Sequence, residues 1–106
     1  MGPLGMKPEE LRERLGEVQL VDVREPYEWD AGRIEGATHI EFAELPARAA
    51  ELEKDKPVVF YCRVGGRSAV ALEAFAGAGY DAHHLDGGIV AWDEAGLPVD
   101  GEIAPH

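Results

Sequence analysis

Cys62 is the only cysteine among 106 residues, and Ser68 is the only serine. Between them run Arg63, Val64, Gly65, Gly66 and Arg67. A lone thiol forms no internal disulfide, no CxxC redox pair and no multi-cysteine zinc site. It is either a small buried hydrophobe or a nucleophile, and its neighbours favour the nucleophile. Gly65 and Gly66 can take positive φ, which curls successive N–H groups inward into an anion nest. A helix starting just beyond adds free N–H groups and the positive end of its dipole. Ser68 is placed to cap that helix or to donate into the loop. Arg63 and Arg67 add positive charge. The obvious anion for such a nest is the thiolate, so the loop favours an ionised, nucleophilic sulfur.

The flanking sequence supplies the elements that must hold this loop. "KPVVFYC", ending at Cys62, is apolar and rich in β-branched and aromatic residues, which predicts a central strand. "RSAVALEAFAGAGY" has apolar residues at helical spacing and predicts a helix closing near Gly77 to Gly79. Upstream, "KPEELRERLG" predicts a short helix and "VQLVDV" a buried strand. "REPYEWDAGRIEGA" is turn-rich with one helical turn around Tyr27 to Ala31. "THIEF" predicts a short strand and "AELPARAAELE" a helix with Pro46 in its first turn. Downstream, "DAHHLDGG" predicts a strand and tight turn, and "IVAWDEAGLPV" a last short helix. Alternating strands and helices imply an α/β fold with a parallel sheet. In such folds ligands bind beyond the carboxyl ends of the strands, which is where Cys62 stands.

Composition narrows the function classes. The chain is long enough for one domain with a real core. No apolar run approaches the roughly 20 residues of a membrane-spanning helix, and the N-terminus lacks a signal peptide's apolar core. A soluble, cytoplasmic protein is expected. The formal net charge of −11 argues against nucleic acid and anionic membrane surfaces as partners. It leaves room for a small anionic substrate, because a local field can oppose the global one.

Spacing separates the rival loop chemistries. A Walker-type phosphate loop needs a lysine after its glycines, and none is present. Protein tyrosine phosphatases place five residues between cysteine and arginine; here four, Arg63 to Gly66, separate Cys62 from Arg67. The shorter loop suits a group smaller than phosphate. "CRVGGRS" resembles the active-site loop of the rhodanese-type sulfurtransferases, Cys-x-x-Gly-x-Arg-Ser/Thr. "LVDVREPYEWDAGRIEGA" resembles that family's N-terminal block, with Asp22, Arg24 and Glu28 in place. "HLDGGIVAWDEAGLPV" resembles its C-terminal block, with Leu85, Gly87, Gly88, Trp92 and Gly96. Arg33 and Glu35 depart from the His and Pro often found in the family's "GHIPGA" element.

The resemblance implies a rhodanese-like three-layer α/β/α fold around a central parallel sheet. It spans a domain over residues 7–100, with an N-terminal tail over 1–6 and a C-terminal tail over 101–106. It implies Cys62 as catalytic nucleophile and Arg63, Val64, Gly65, Gly66, Arg67 and Ser68 as the substrate-binding loop. It implies Asp22 and Arg24 as structural supports, with no metal or organic cofactor. The expected donor is a small sulfur anion such as thiosulfate. The acceptor is cyanide or a thiol, a protein persulfide carrier included. The competing class is a non-catalytic rhodanese-like module that docks partners or senses redox state. His39, His83, His84 and His106 lack metal-ligand spacing, and a thiolate already ionised needs no base, so none is assigned a role. Trp29 and Trp92 are assigned to packing.

Overall fold

The computed structural model describes residues 5–104. Strands β1 (Gly5–Met6), β2 (Gln19–Asp22), β4 (Thr38–His39), β5 (Val58–Tyr61) and β6 (Ala82–Leu85) form one sheet in the order β1-β6-β5-β2-β4, every pair parallel. Helices α1 (Pro8–Arg14) and α5 (Gly88–Glu94) cover one face. A segment containing α3 (Leu45–Arg48), together with α4 (Gly66–Gly77), covers the other. Helix α2 (Pro26–Ala31) leads into β3 (Gly32–Arg33), which pairs antiparallel with β7 (Asp100–Gly101). This is the three-layer α/β/α arrangement that the sequence predicts.

The twofold alternation of a strand decides what each face receives. Along β5 and just beyond, Val58, Phe60 and Cys62 enter the core under α4. Val59 and Tyr61 enter the core under α1 and α5. All five residues are buried, as in a strand covered on both sides. Along β6, Ala82 lies on the α4 face and Leu85 on the other, so the same alternation turns His84 toward α4.

Two regions depart from the sequence reading. "AELPARAAELE" is not one helix but a 3-10 turn (Phe42–Glu44), the short α3, and another 3-10 turn (Ala49–Glu51). Pro46 does stand in the first turn of α3, where its missing N–H breaks no helical bond, but the α-helix ends at Arg48 and a 3-10 turn follows. Described residues flanking the expected domain also join the fold. Gly5 and Met6 pair with His84 and Leu85 as an edge strand, and Met6 is buried. Gly101 pairs with Gly32, and Ala104 is buried. Residues 1–4 and 105–106, His106 among them, lie outside the described residues.

Candidate active site

Strand β5 delivers Cys62 to the carboxyl edge of the sheet, and α4 begins four residues later. Gly65 takes φ +118° and serves as the N-cap of α4. That left-handed turn points its N–H at the thiol, with N to Sγ 3.1 Å. Only the first of the two glycines uses the left-handed region; Gly66 is already helical. Ser68 is not the cap either. It sits in the first turn of α4, fully buried, and its hydroxyl lies 3.2 Å from the Gly65 carbonyl and 3.6 Å from Cys62 Sγ.

The orientation of the loop amides is set from the opposite side, by α5. The N–H of Ile89 donates to the Cys62 carbonyl at 2.9 Å, and that of Val90 to the Arg63 carbonyl at 3.1 Å. In a planar trans peptide the N–H points away from its carbonyl. Fastening these two carbonyls to α5 therefore turns the Arg63 and Val64 N–H groups toward the cleft. The approach is so close that a Cβ on Gly88 would run into the Cys62 and Arg63 carbonyls, and Gly88 sits at φ +64°. The first N–H groups of α4 add donors without intrahelical partners. The cleft above, of about 330 Å³, is lined by Cys62, Arg63, Val64, Gly66 and Arg67.

Charge arrives less freely than the sequence suggests. The Arg67 guanidinium donates to both carboxylate oxygens of Glu28, at 3.0 and 3.4 Å. Hydrogen bonding to Glu28, working against burial, holds the Arg67 pKa above its ordinary value, with the Cys62 sulfur a smaller contributor. Glu28 is buried, which by itself raises its pKa. The bonds from Arg67 and the Glu25 backbone, with the charges of Arg67 and Arg24, more than offset this and hold it low. Glu28 is positioned by a capping box at the start of α2: it accepts the Glu25 N–H while the Glu25 side chain accepts its own. Arg63 does not project freely, because its Nη1 donates to the Ala104 carbonyl at 2.7 Å.

Asp22 and Arg24 meet each other. Arg24 reaches both Asp22 oxygens, with a closest approach of 2.7 Å, and donates to the Gly32 carbonyl at 2.7 Å. Both are buried. Burial works against the Arg24 charge, but Asp22 outweighs it and raises the pKa. Arg24 also lies over the Tyr61 ring, whose hydroxyl accepts the Ile34 N–H and whose pKa burial pushes up, with Asp22 adding to the shift. The pair thus braces the turn after α2 on the α1/α5 face of the sheet, not the thiol loop directly.

Residues left without a role also belong to the site. Glu28 comes from 39 positions before Arg67. His84 Nδ1 lies 3.1 Å from the Ser68 hydroxyl, which touches the thiol. The signals were present: a glutamate at the third position of a capped helix, and a histidine two residues from Ala82 on a strand of period two. Trp92 is a core residue whose indole donates to the Pro98 carbonyl. Trp29 stacks on His39 beneath Arg33. No cluster among the described residues could hold a metal ion, and none of the described helices is long and apolar enough to cross a membrane.

Residues 7–95 match the rhodanese-like domain. The chain belongs to the rhodanese-like family. It is 40% identical over 102 residues to a sulfurtransferase of Allochromatium vinosum, covering 92% of each chain. It is 47% identical over 97 residues to an HTH-type transcriptional regulator of Mycobacterium tuberculosis, where the match takes in 89% of this chain but only 42% of that protein. The chain thus spans less than half the length of that relative. Among solved structures, a rhodanese-related protein of Thermoplasma volcanium superposes with a TM-score of 0.87 at 35% identity, over 92% of this chain and 98% of that one.

Proposed function

We propose that this rhodanese-like protein is a sulfurtransferase that carries a sulfane sulfur on Cys62, with thiosulfate as a donor. The observation that carries this reading is the Gly65 N–H on Cys62 Sγ, at the floor of a cleft rimmed by loop amides and arginine. The Cys62 thiolate attacks the outer sulfur of thiosulfate. A new S–S bond forms, the old one breaks, and sulfite leaves with its electron pair. The terminal persulfide sulfur is anionic and is stabilised by preorganised N–H donors. Cyanide or a thiolate then attacks that sulfur, and Cys62 departs as the thiolate, completing a double-displacement cycle. The sulfurtransferase name of a relative matched nearly end to end supports the same reading.

A second reading, a partner-docking or redox-sensing module, is favoured by the match to part of a transcriptional regulator. One measurement separates them. Incubation with thiosulfate followed by intact mass spectrometry should show the gain of one sulfur atom, removed by cyanide and absent from Cys62→Ser. A native protein that gains no sulfur from thiosulfate or from an organic persulfide overturns the enzyme reading.

A further inference from the structure

We propose that His84 takes the Cys62 proton through Ser68 and that Asp86 steadies the resulting imidazolium. The inference rests on Cys62 being the reactive thiol. That thiol is 1% exposed and must lose its proton before it can attack. Its side-chain hydrogen bond is to Ser68 Oγ, at 3.6 Å. The Ser68 oxygen is in turn 3.1 Å from His84 Nδ1. At the far side of the ring, Nε2 is buried without a hydrogen-bond partner. It lies 3.5 Å from Asp86 Oδ1, within ion-pair distance. A buried, unpaired ring nitrogen beside a carboxylate is costly in a purely structural histidine and is the right place for an imidazolium N–H.

The proton balance closes within the chain. The Cys62 S–H bond breaks and its proton passes to Ser68 Oγ, while the Ser68 proton passes to His84 Nδ1. The electron pair stays on sulfur, nothing is oxidised, and thiol plus imidazole become thiolate plus imidazolium. Gly65 N–H then faces the thiolate and Asp86 faces Nε2–H. Burial pushes the His84 pKa down, with Asp86 pulling partly the other way, which favours the neutral ring that can accept a proton. Helix α4 presents Ser68, the segment after β5 presents Cys62, and the edge strand places Gly5 in register with His84. Among the described residues, Asp86 is the charged group that acts on the ring. Its carboxylate occupies the space a Cβ on Gly5 would need, and its N–H donates to Met6 O at 2.9 Å. His84 is thus a positioning residue that acts through Ser68, not a group that touches the donor.

Cys62 is the sole thiol, so alkylation by iodoacetamide, read by intact mass across a pH series, reports its ionisation without any sulfur donor. The native rate should show a shoulder near neutral pH that belongs to the thiol–imidazole pair. In His84→Gln the shoulder should vanish, with the rate near neutrality falling roughly tenfold and recovering in alkali. Ser68→Ala should behave alike, and Ser68→Thr, which keeps the hydroxyl, should retain the shoulder. Asp86→Asn alters an exposed carboxylate and should lower the shoulder without abolishing it, which decides the matter even if His84→Gln does not fold. A native profile with no shoulder, variant profiles that superpose on the native one, or a loss by the same factor at every pH would overturn the relay. Failure of the sulfur-transfer reading shows separately, as native protein that alkylates with the shoulder yet gains no sulfur.

Discussion

Arg67 Nη1 donates to Glu28 Oε1 at 3.0 Å, joining the helix that closes the thiol loop to a helix 39 residues earlier in the chain. The guanidinium therefore has one edge committed and its direction set. Planar, bidentate pairing of this kind fixes geometry as well as charge.

Arg67→Ala should lower kcat for thiosulfate:cyanide transfer about a hundredfold, the scale of losing one preorganised donor from an anion site. Glu28→Gln should act in the same direction but less, through a misdirected Arg67, and should cost about 2 kcal/mol of stability for the weakened charged hydrogen bonds. Arg63→Ala should mainly raise KM for thiosulfate, with a smaller effect for an uncharged persulfide donor. Steady-state kinetics of the three variants test the ranking; an Arg63 variant worse in kcat than the Arg67 variant contradicts it.

Gly88→Ala should damage the loop from behind. The added Cβ meets the Cys62 and Arg63 carbonyls at a backbone φ of +64°. Strain of that kind costs on the order of 1–3 kcal/mol before the collision is counted. Urea unfolding should show a loss of at least that size, together with slower sulfur loading. A variant as stable and as active as the native protein would show that α5 does not hold the loop.

Loop length should select the substrate. One glycine inserted between Gly65 and Gly66 moves the start of α4, and with it Ser68 and Arg67, away from Cys62. Sulfur loading should fall sharply, measured by intact mass. The native protein should not hydrolyse a chromogenic phosphate ester; efficient hydrolysis would defeat the argument from loop size.

Acid should destabilise the fold in two steps. The folded-state pKa of His84 is lowered, so the unfolded chain binds the extra proton and stability falls as pH drops below the ordinary 6.5. Glu28 is likewise lowered, so its contribution is present above 4.5 and is lost as pH falls through the folded value. Thermal melts across pH should show both losses in the native protein. Only the upper one should disappear in His84→Gln and only the lower one in Glu28→Gln.

The sequence by itself determined strands β2, β4, β5 and β6, the long helix and the thiol loop. β5 and α4 are coded locally, by an apolar run and by helical spacing, and "CRVGGRS" joins them with no tertiary information needed. Local pattern failed in "AELPARAAELE", where only the four-residue α3 between two 3-10 turns is α-helical, and at Gly5 and Met6, whose strand exists only because β6 offers an edge to pair with. The rest of the site was decided by packing. Glu28 reaches Arg67, α5 fastens the Cys62 and Arg63 carbonyls, and His84 stands behind Ser68, because parallel strands bring distant segments to one end of the sheet. Such contacts depend on strand order and register, which no local spacing specifies. A histidine between a buried serine and a carboxylate reads in the sequence as two ordinary residues in "HHLD".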